Sequence, residues 1–306
     1  MANQDTQQPT HMYGGQAVIE GVMIRGRNFF SLAVRREDGT IEQRQEALNP
    51  LYNGRLRRWP LVRGFLALLE TLILGVKSLQ MSANLAVMDP ASTNEKDEGI
   101  PAVVMATTLA VSLIFGISLF FLLPLGIVWA LDSVITSDLL SEIVEGVLRL
   151  AILVIYISAI SFLPDVRRVF AYHGAEHMTV HAHEAGLPLN VDNVRKFGTP
   201  HPRCGTAFLL TVVVVSIVVF ALLLGPPLEW RIASRILLLP VIAAISYEII
   251  RFSGAHQNSL IGQLLARPGL WLQKLTTRQP DDQQIEVAIR AMETAIAADE
   301  GRAASV

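Results

Sequence analysis

Two histidines and a glutamate with the spacing H-x-x-E-H stand at positions 173–177 and could bind and use a transition metal. Imidazole nitrogens are common zinc ligands, and a carboxylate can act as a ligand or as a general base. The chain has seven histidines. Five of them fall between positions 173 and 201, namely His173, His177, His181, His183 and His201. This clustering favours a metal site over scattered surface histidines.

The motif lies in a stretch with a helical pattern, which runs from Pro164 to about Gly186. Because each residue of an α-helix turns by about 100°, His173 and His177 lie on one face, about 40° apart. Two nitrogens one turn apart can both reach one ion at about 2 Å, so we expect these two histidines to bind the same zinc ion. In peptidases with the H-x-x-E-H motif the glutamate is a base that takes a proton from water. The sequence therefore predicts Glu176 as the catalytic base.

A third metal ligand must come from another part of the chain. Glu248 is one candidate, because an ionisable group near the end of an apolar segment is costly without a partner. A pair with Arg251, three residues on, is the alternative for this glutamate. His201 and Cys204 are further candidates, since they begin an apolar segment at the same predicted membrane face. A thiolate ligand would favour zinc over magnesium, whereas the alternative for Cys204 is a buried small residue.

The histidines also have simpler interpretations. His173 and His177 could be ordinary interfacial residues of an amphipathic helix. His181 and His183 could be solvated, or they could support a metal ligand through hydrogen bonds. The clustering favours metal binding for the first pair and one of these lesser roles for the second pair.

The composition is typical of an α-helical integral membrane protein. Mean hydropathy is +0.42, and 17% of the residues are charged, against about 25% in soluble proteins. Two pairs of transmembrane helices are predicted, in residues 101–163 and 205–250, because a bilayer is spanned by roughly 20 apolar residues. The four predicted spans are residues 101–131, 143–163, 205–225 and 232–250.

The remaining segments predict the elements that flank these spans. Residues 12–48 predict a small three-stranded β unit with a hairpin turn at Asp38-Gly39. Residues 55–88 predict an interfacial or re-entrant helix, because Glu70 and Lys77 interrupt its apolar run. The other two predicted elements are a cytoplasmic His-rich region over residues 164–204 and a C-terminal cytoplasmic helix within residues 267–298.

The distribution of basic residues predicts the orientation in the membrane. The chain has 25 lysines and arginines. Three of them, Arg149, Arg231 and Arg235, lie at the short loops after the first and third predicted spans, and the other 22 (25 − 3) lie on the opposite side. Because cytoplasmic loops carry the excess of basic residues, both termini and the His-rich region are predicted to be cytoplasmic. The basic flanks are also expected to contact anionic membrane lipids.

Four stretches resemble the YqhQ-like family of uncharacterised bacterial membrane proteins, which are described as predicted metal-dependent enzymes. They are YGGQAVIEGVMIRGR at 13–27, YHGAEHMTVHAHEAG at 172–186, HPRCGTAFLL at 201–210, and PGLW at 268–271 followed by LTTRQPDDQQIEVAI at 275–289. The resemblance implies a multi-pass protein of the bacterial inner membrane. It also implies that the YHGAEH and HPRCGT stretches form the functional core, with His173, Glu176, His177, His201 and Cys204.

The leading hypothesis from these observations is a zinc-dependent hydrolase at the cytoplasmic face, acting on a membrane peptide or a lipid-linked substrate. The alternative is a non-catalytic scaffold for a membrane protein partner, such as protein-biogenesis machinery, with a structural metal or a polar network. A transporter is the third hypothesis, and it is disfavoured because few ionisable residues lie at mid-membrane depth. No phosphate-binding glycine loop is present, and nucleic-acid binding is not expected.

Overall fold

A computed structural model of the chain describes residues 13–49, 59–87, 101–131, 133–223, 227–256 and 258–301. The described part is mostly helical, with one antiparallel sheet in the strand order β1-β2-β3-β4. The strands are β1 (Gly14–Val18), β2 (Gly21–Arg25), β3 (Phe29–Arg35) and β4 (Ile41–Ala47). The helices are α1 (Val62–Val87), α2 (Ala102–Ile117), α3 (Leu123–Ala130), α4 (Asp138–Ile160), α5 (Pro164–Glu184), α6 (Val191–Val194), α7 (Gly205–Ala221), α8 (Leu228–Leu237), α9 (Leu239–Ala255), α10 (Leu260–Thr276) and α11 (Asp282–Asp299).

The sheet has four strands, so the prediction of three is wrong. Residues 14–25 form two strands, because the chain turns back on itself between Val18 and Gly21, which pair across the hairpin. Glu20 in this turn has a φ of 53°, a left-handed conformation that a side chain other than glycine rarely adopts. The pattern of Val and Ile on both sides hid this turn. The turn at Asp38-Gly39 is confirmed, and Gly39 has a φ of 86°.

Both faces of the sheet are covered by helices. Successive residues of a strand point to opposite faces, so a strand buried on both sides is apolar throughout. On β3, Ala33 belongs to a core shared with α5 and α11, whereas Leu32 and Val34 belong to a core shared with α1. The sheet therefore forms the middle layer between α1 and the pair α5 and α11.

Helix α1 occupies most of the segment predicted as interfacial, and residues 55–58 and 88 of that segment lie outside the described residues. The charges that interrupt its apolar run both pair with the sheet. Glu70 is buried and accepts a hydrogen bond from Arg25 at 2.8 Å, and Lys77 pairs with Glu46. These two charges fix the face of α1 that packs on the sheet, while the opposite face leaves large apolar side chains exposed.

Two helices of the described chain are long and apolar enough to cross a membrane. They are Val103–Ala130 and Asp138–Ile160. The helices Glu229–Leu237 and Leu239–Ala255 would add a third span if they cross as one unit, but they are bent by 45°. The apolar helix at Gly205–Ala221 is shorter, at 17 residues. The described residues thus support two or three of the four predicted spans.

Prolines explain the irregularities in these helices. Pro124 lacks an N–H group, so the carbonyl of Phe120 loses its helical partner. Residues Ser118–Leu122 form a π-helical turn at this place, and Arg149 of α4 donates to the Phe120 carbonyl at 3.0 Å. Pro240 stands in the first turn of α9, where the bend from α8 occurs. The span predicted over residues 232–250 is therefore broken near Pro240, and it would cross the membrane only as a bent pair of helices.

A buried cluster of charges joins α4 to α8. Glu145 pairs with Arg149, one helical turn further along α4, at 2.6 Å. Arg235 also contacts Glu145, at 2.8 Å, and Glu142, at 2.7 Å. Arg231 lies 3.5 Å from both carboxylates. The three arginines on the side predicted to carry few basic residues thus all have carboxylate partners within the protein.

The C-terminal region contains two helices where one was predicted over residues 267–298. Helix α10 ends at Thr276, and α11 begins after Asp281, which forms a capping box with Gln284. Pro280 lies in the connection between them, where a helix cannot easily continue. Helix α11 packs through an apolar stripe. Ile285, Ile289 and Met292 are buried in the core shared with the sheet, and Ile296 packs against it.

Candidate metal centre

Helix α5 carries the three motif residues on one face. Glu176 and His177 follow His173 by three and four residues, so both are neighbours of His173 on the helix surface. The helix approaches the chain after α10 very closely at Gly174, where an added Cβ would lie 2.1 Å from the carbonyl oxygen of Arg278. Only glycine at position 174 therefore allows α5 to lie this close to the chain after α10.

The two imidazoles are held by backbone carbonyls and face each other. Nδ1 of His173 donates to the Thr276 carbonyl at 2.9 Å, and Nδ1 of His177 donates to the Thr199 carbonyl at 2.5 Å. Their ring centroids are 4.4 Å apart. A carbonyl can only accept, so each Nδ1 carries the ring proton and each Nε2 of the neutral ring is left with a free lone pair. Metal-binding histidines are usually held in this way.

Cys204 brings a sulfur to the same place from another element. Its Sγ lies 3.2 Å from Nε2 of His173, and one ligand atom each from His173, His177 and Cys204 lie within 4.8 Å of one another. Cys204 is the N-cap residue of α7, and its sulfur accepts from the Thr206 backbone N–H. The positive end of the helix dipole favours negative charge at this sulfur. The structure thus brings together three of the five predicted ligands.

Glu176 lies beside this cluster and is almost fully buried, with 4% of its surface exposed. Its Oε2 is 3.6 Å from Nε2 of His177. Burial raises the pKa of the Glu176 carboxyl, while His173, His201 and a backbone hydrogen bond from Gly15 oppose the rise. A Cβ at Gly15 would lie 2.9 Å from Cγ of Glu176, so β1 can cover this carboxylate only with glycine there.

His201 lies next to these residues but belongs to a second group. One ligand atom each from His181, Glu184 and His201 lie within 4.8 Å of one another. The His201 backbone is clamped by the buried side chain of Gln273, which accepts from its N–H at 2.7 Å and donates to its carbonyl at 2.9 Å. The ring centroid of His201 is 5.6 Å from that of His177.

Burial also affects the protonation of these histidines. It lowers the pKa of His177 and of His201, and it lowers the pKa of His181 to about 4. The three imidazoles are therefore neutral near pH 7 and can offer a lone pair to a cation. The ring of His183 instead contacts the ring of Tyr13 in a T-shaped arrangement, with 5.1 Å between the two centroids.

Glu248 is not brought to the motif. Its carboxylate binds the guanidinium of Arg63 at the start of α1, with 2.6 Å between Nε and Oε1. The pair joins α1 to α9 and gives the glutamate a partner other than the predicted metal or Arg251. Among the described residues, it is absent from both groups of potential ligands.

The first group of ligands lines a mostly apolar cavity of about 600 Å³. Its walls come from β1, α1, α5 and α7, and they include His173, Glu176 and Cys204. Leu72 and Leu79 of α1 line the cavity and are also exposed on the outer surface. The cavity is therefore continuous with the exposed apolar face of α1.

Sequence reasoning missed the groups that hold the ligands in position. Gln273 could have been suspected, because an amide in the apolar face of a helix needs a buried partner. The carbonyls of Thr199 and Thr276 carry no side-chain signal at all. Gly15 stands in a glycine pair that marks a close approach, but the sequence alone does not show what approaches it.

Comparison with known proteins identifies the family. The model of a family described as a protein of unknown function (DUF1385) matches residues 59–298, and the chain belongs to this family. The chain is similar to the uncharacterized protein YqhQ of Bacillus subtilis (strain 168), with 34% identity over 288 residues, which cover 91% of this chain and 90% of that protein. No solved structure matches the chain. The resemblance to YqhQ-like proteins is thus confirmed, whereas metal dependence stays a prediction.

Replacing Gly174 by alanine is expected to destabilise the protein, because the new methyl group collides with the Arg278 carbonyl. Overpacking of this kind costs about 1–3 kcal/mol. The matched control is Gly205→Ala in the first turn of α7, where a Cβ meets nothing within 4 Å. Thermal unfolding of the detergent-purified chain should show a lower midpoint for the first variant only. An unfolding midpoint of Gly174→Ala equal to that of Gly205→Ala would contradict the close approach of α5 to the chain after α10.

Proposed function

We propose that this protein is a zinc-dependent hydrolase of the bacterial inner membrane, and that His173, His177 and Cys204 bind the ion. The observation that carries this proposal is the convergence of their ligand atoms within 4.8 Å of one another. Two nitrogens and a sulfur are a donor set that suits zinc and disfavours magnesium. A divalent cation would take the place of the thiol proton between Cys204 and His173.

The ligand positions support a tetrahedral ion. Two donors on a tetrahedral zinc, each at about 2.0–2.3 Å, lie roughly 3.3–3.6 Å apart. The 3.2 Å between Nε2 of His173 and Sγ of Cys204 is close to this separation. The hydrogen bonds from both Nδ1 atoms to carbonyls keep the rings in place, so little rearrangement is needed on binding. Zinc, when bound, acts as a Lewis acid and lowers the pKa of water.

Glu176 is the proposed general base. Its carboxylate lies next to the ligands, where it can accept a proton from water and later return it to the leaving group. Burial raises the pKa of this carboxyl, which brings a general base closer to the working pH. The carboxylate accepts a backbone hydrogen bond from Gly15, and Glu176 lines the cavity.

The cavity supports a substrate with an apolar part, either a membrane peptide or a lipid-linked molecule. Its volume of about 600 Å³ lies within the usual range for binding sites of small molecules. The continuity with exposed Leu72 and Leu79 gives such a substrate a route along α1 from the lipid. We place α1 at the membrane interface, with the basic residues of the cytoplasmic side in contact with anionic lipid.

A four-span topology with both termini in the cytoplasm fits this function. In it, α7 forms the third span and the bent pair α8 and α9 forms the fourth. The His-rich segment between α4 and α7 then lies at the inner face, on the side that carries 22 of the 25 basic residues, as the positive-inside rule requires. The sheet, α1 and α11 would form the cytoplasmic part of the protein.

A structural metal in a scaffold for a membrane protein partner is the second candidate function. The observation in its favour is the 3.6 Å between Oε2 of Glu176 and Nε2 of His177, a separation that also suits two ligands of one ion. With Glu176 as the fourth ligand the site would be closed, and closed four-ligand sites are structural.

The double variant His173→Ala, His177→Ala is expected to contain one equivalent of zinc less than the wild-type protein. The reason is that two of three ligands of the ion are removed. The measurement is the ratio of zinc to protein by elemental analysis after purification in detergent. His183→Asn is the control, because this histidine on the same helix faces Tyr13. Unchanged zinc content in the double variant would contradict the proposed site.

The variant Glu176→Gln separates the two functions. If Glu176 is the base, the variant keeps its zinc but loses turnover by about 100-fold or more. The assay incubates each protein in vesicles made from the host's own membrane extract and seeks hydrolysis products by mass spectrometry. Products formed by the wild type and not by the variant are expected. Loss of zinc from the variant, with no products from either protein, would favour the structural site instead.

A further inference from the structure

Four buried or half-buried imidazoles form a row that divides into two pairs. The ring centroids of His173 and His177 are 4.4 Å apart, and those of His181 and His201 are 4.5 Å apart. The gap between the pairs, from His177 to His201, is wider at 5.6 Å. The first pair belongs to the proposed zinc site. The second pair has a carboxylate, Glu184, beside it.

We propose that His181, Glu184 and His201 form a second divalent-cation site, next to the first. One ligand atom from each of the three residues lies within 4.8 Å of the others. Two imidazoles and a carboxylate suit zinc or a neighbouring transition metal. The existence of this site follows from the geometry alone, whereas its role in hydrolysis rests on the proposed function.

His201 gives independent support for a ligand at this place. It is 4% exposed, and its Nε2 is a buried polar atom without a hydrogen-bond partner. Such atoms are uncommon because they lose the stabilisation that water gave them. Nε2 lies 3.5 Å from Oε2 of Glu184, which is long for a hydrogen bond but matches the roughly 3.3–3.5 Å between two donors on one tetrahedral ion.

Two of the three proposed ligands, His181 and Glu184, are held from behind by hydrogen bonds, as metal ligands usually are. His181 donates from Nε2 to the Pro200 carbonyl at 2.9 Å. The guanidinium of Arg203 pairs with Oε1 of Glu184 and leaves Oε2 towards His201. The Arg203 backbone N–H lies 3.4 Å from Nδ1 of His201, a weak contact that favours the ring proton on Nε2. An ion at Nε2 would move this proton to Nδ1 and break the contact. The clamp by Gln273 fixes the His201 backbone.

The two positions share one buried carboxylate. Glu176 interacts electrostatically with His173 of the first group and with His201 of the second. Paired-metal hydrolases use two ions to stabilise the attacking and leaving oxygens together. Of the second group only His201 lines the cavity, so a second ion would adjoin the cavity through this residue.

The test is a titration of metal-stripped full-length protein in detergent with cobalt(II), which replaces zinc and reports its ligands by absorption. The wild type should bind two equivalents, and one of them should show a sulfur-to-cobalt charge-transfer band from Cys204. The variant His181→Asn should bind one equivalent and keep the sulfur band in full. Glu184→Gln, which retains the size of the side chain, should weaken binding of the second equivalent by at least 10-fold. His183→Asn should behave as the wild type.

The outcomes separate this inference from the proposed function. A single equivalent in the wild type, with the sulfur band and no change in either variant, overturns the second site and leaves the first intact. A single equivalent without the sulfur band, lost in His181→Asn, supports the second site and removes the first. No tight binding by the wild type overturns both. If His181→Asn fails to elute as a folded protein, Glu184→Gln decides alone.

Discussion

The hydrogen bonds from two imidazoles to two backbone carbonyls are the interaction on which the rest of the site depends. His173 is tied to the end of α10 through Thr276, and His177 is tied to the loop before α7 through Thr199. These bonds join three segments that are far apart in the chain. They also turn both Nε2 atoms towards Cys204 and leave them without a proton, which a metal ligand requires. The close approach at Gly174 makes this geometry possible.

The layers around the sheet also enclose the residues of the candidate metal site. Strand β1 covers Glu176 through Gly15, and α1 closes the cavity on the other side. Helix α1 is held by ion pairs at several points, with Arg25 bound to Glu70 and Arg63 bound to Glu248. The charges in this helix therefore have a structural purpose, whereas its outer apolar face remains exposed. A buried carboxylate and a thiol beside an apolar cavity suit chemistry on a substrate that is partly hydrophobic.

Local patterns in the sequence predicted the features that are determined by residues close together in the chain, such as helix faces and turns. The helical period placed His173, Glu176 and His177 on one face, and the Asp-Gly pair marked a turn. Contacts between distant segments could not be read in this way. Glu248 was given a metal or Arg251 as its partner, but its partner is 185 residues away, at Arg63. The grouping of His201 with His181 and Glu184 likewise depends on how the loop after α6 folds back onto α5.

The most direct measurement of the central claim is X-ray absorption at the zinc edge, on protein stripped of metal and reloaded with one equivalent of zinc. An ion bound by Cys204 and the two histidines should give a sulfur shell at about 2.3 Å together with nitrogen at about 2.0–2.1 Å. The sulfur shell should vanish in the variant Cys204→Ser while imidazole scattering remains. A spectrum with oxygen and nitrogen alone in the wild-type protein would show that the ion binds elsewhere, and it would contradict the account.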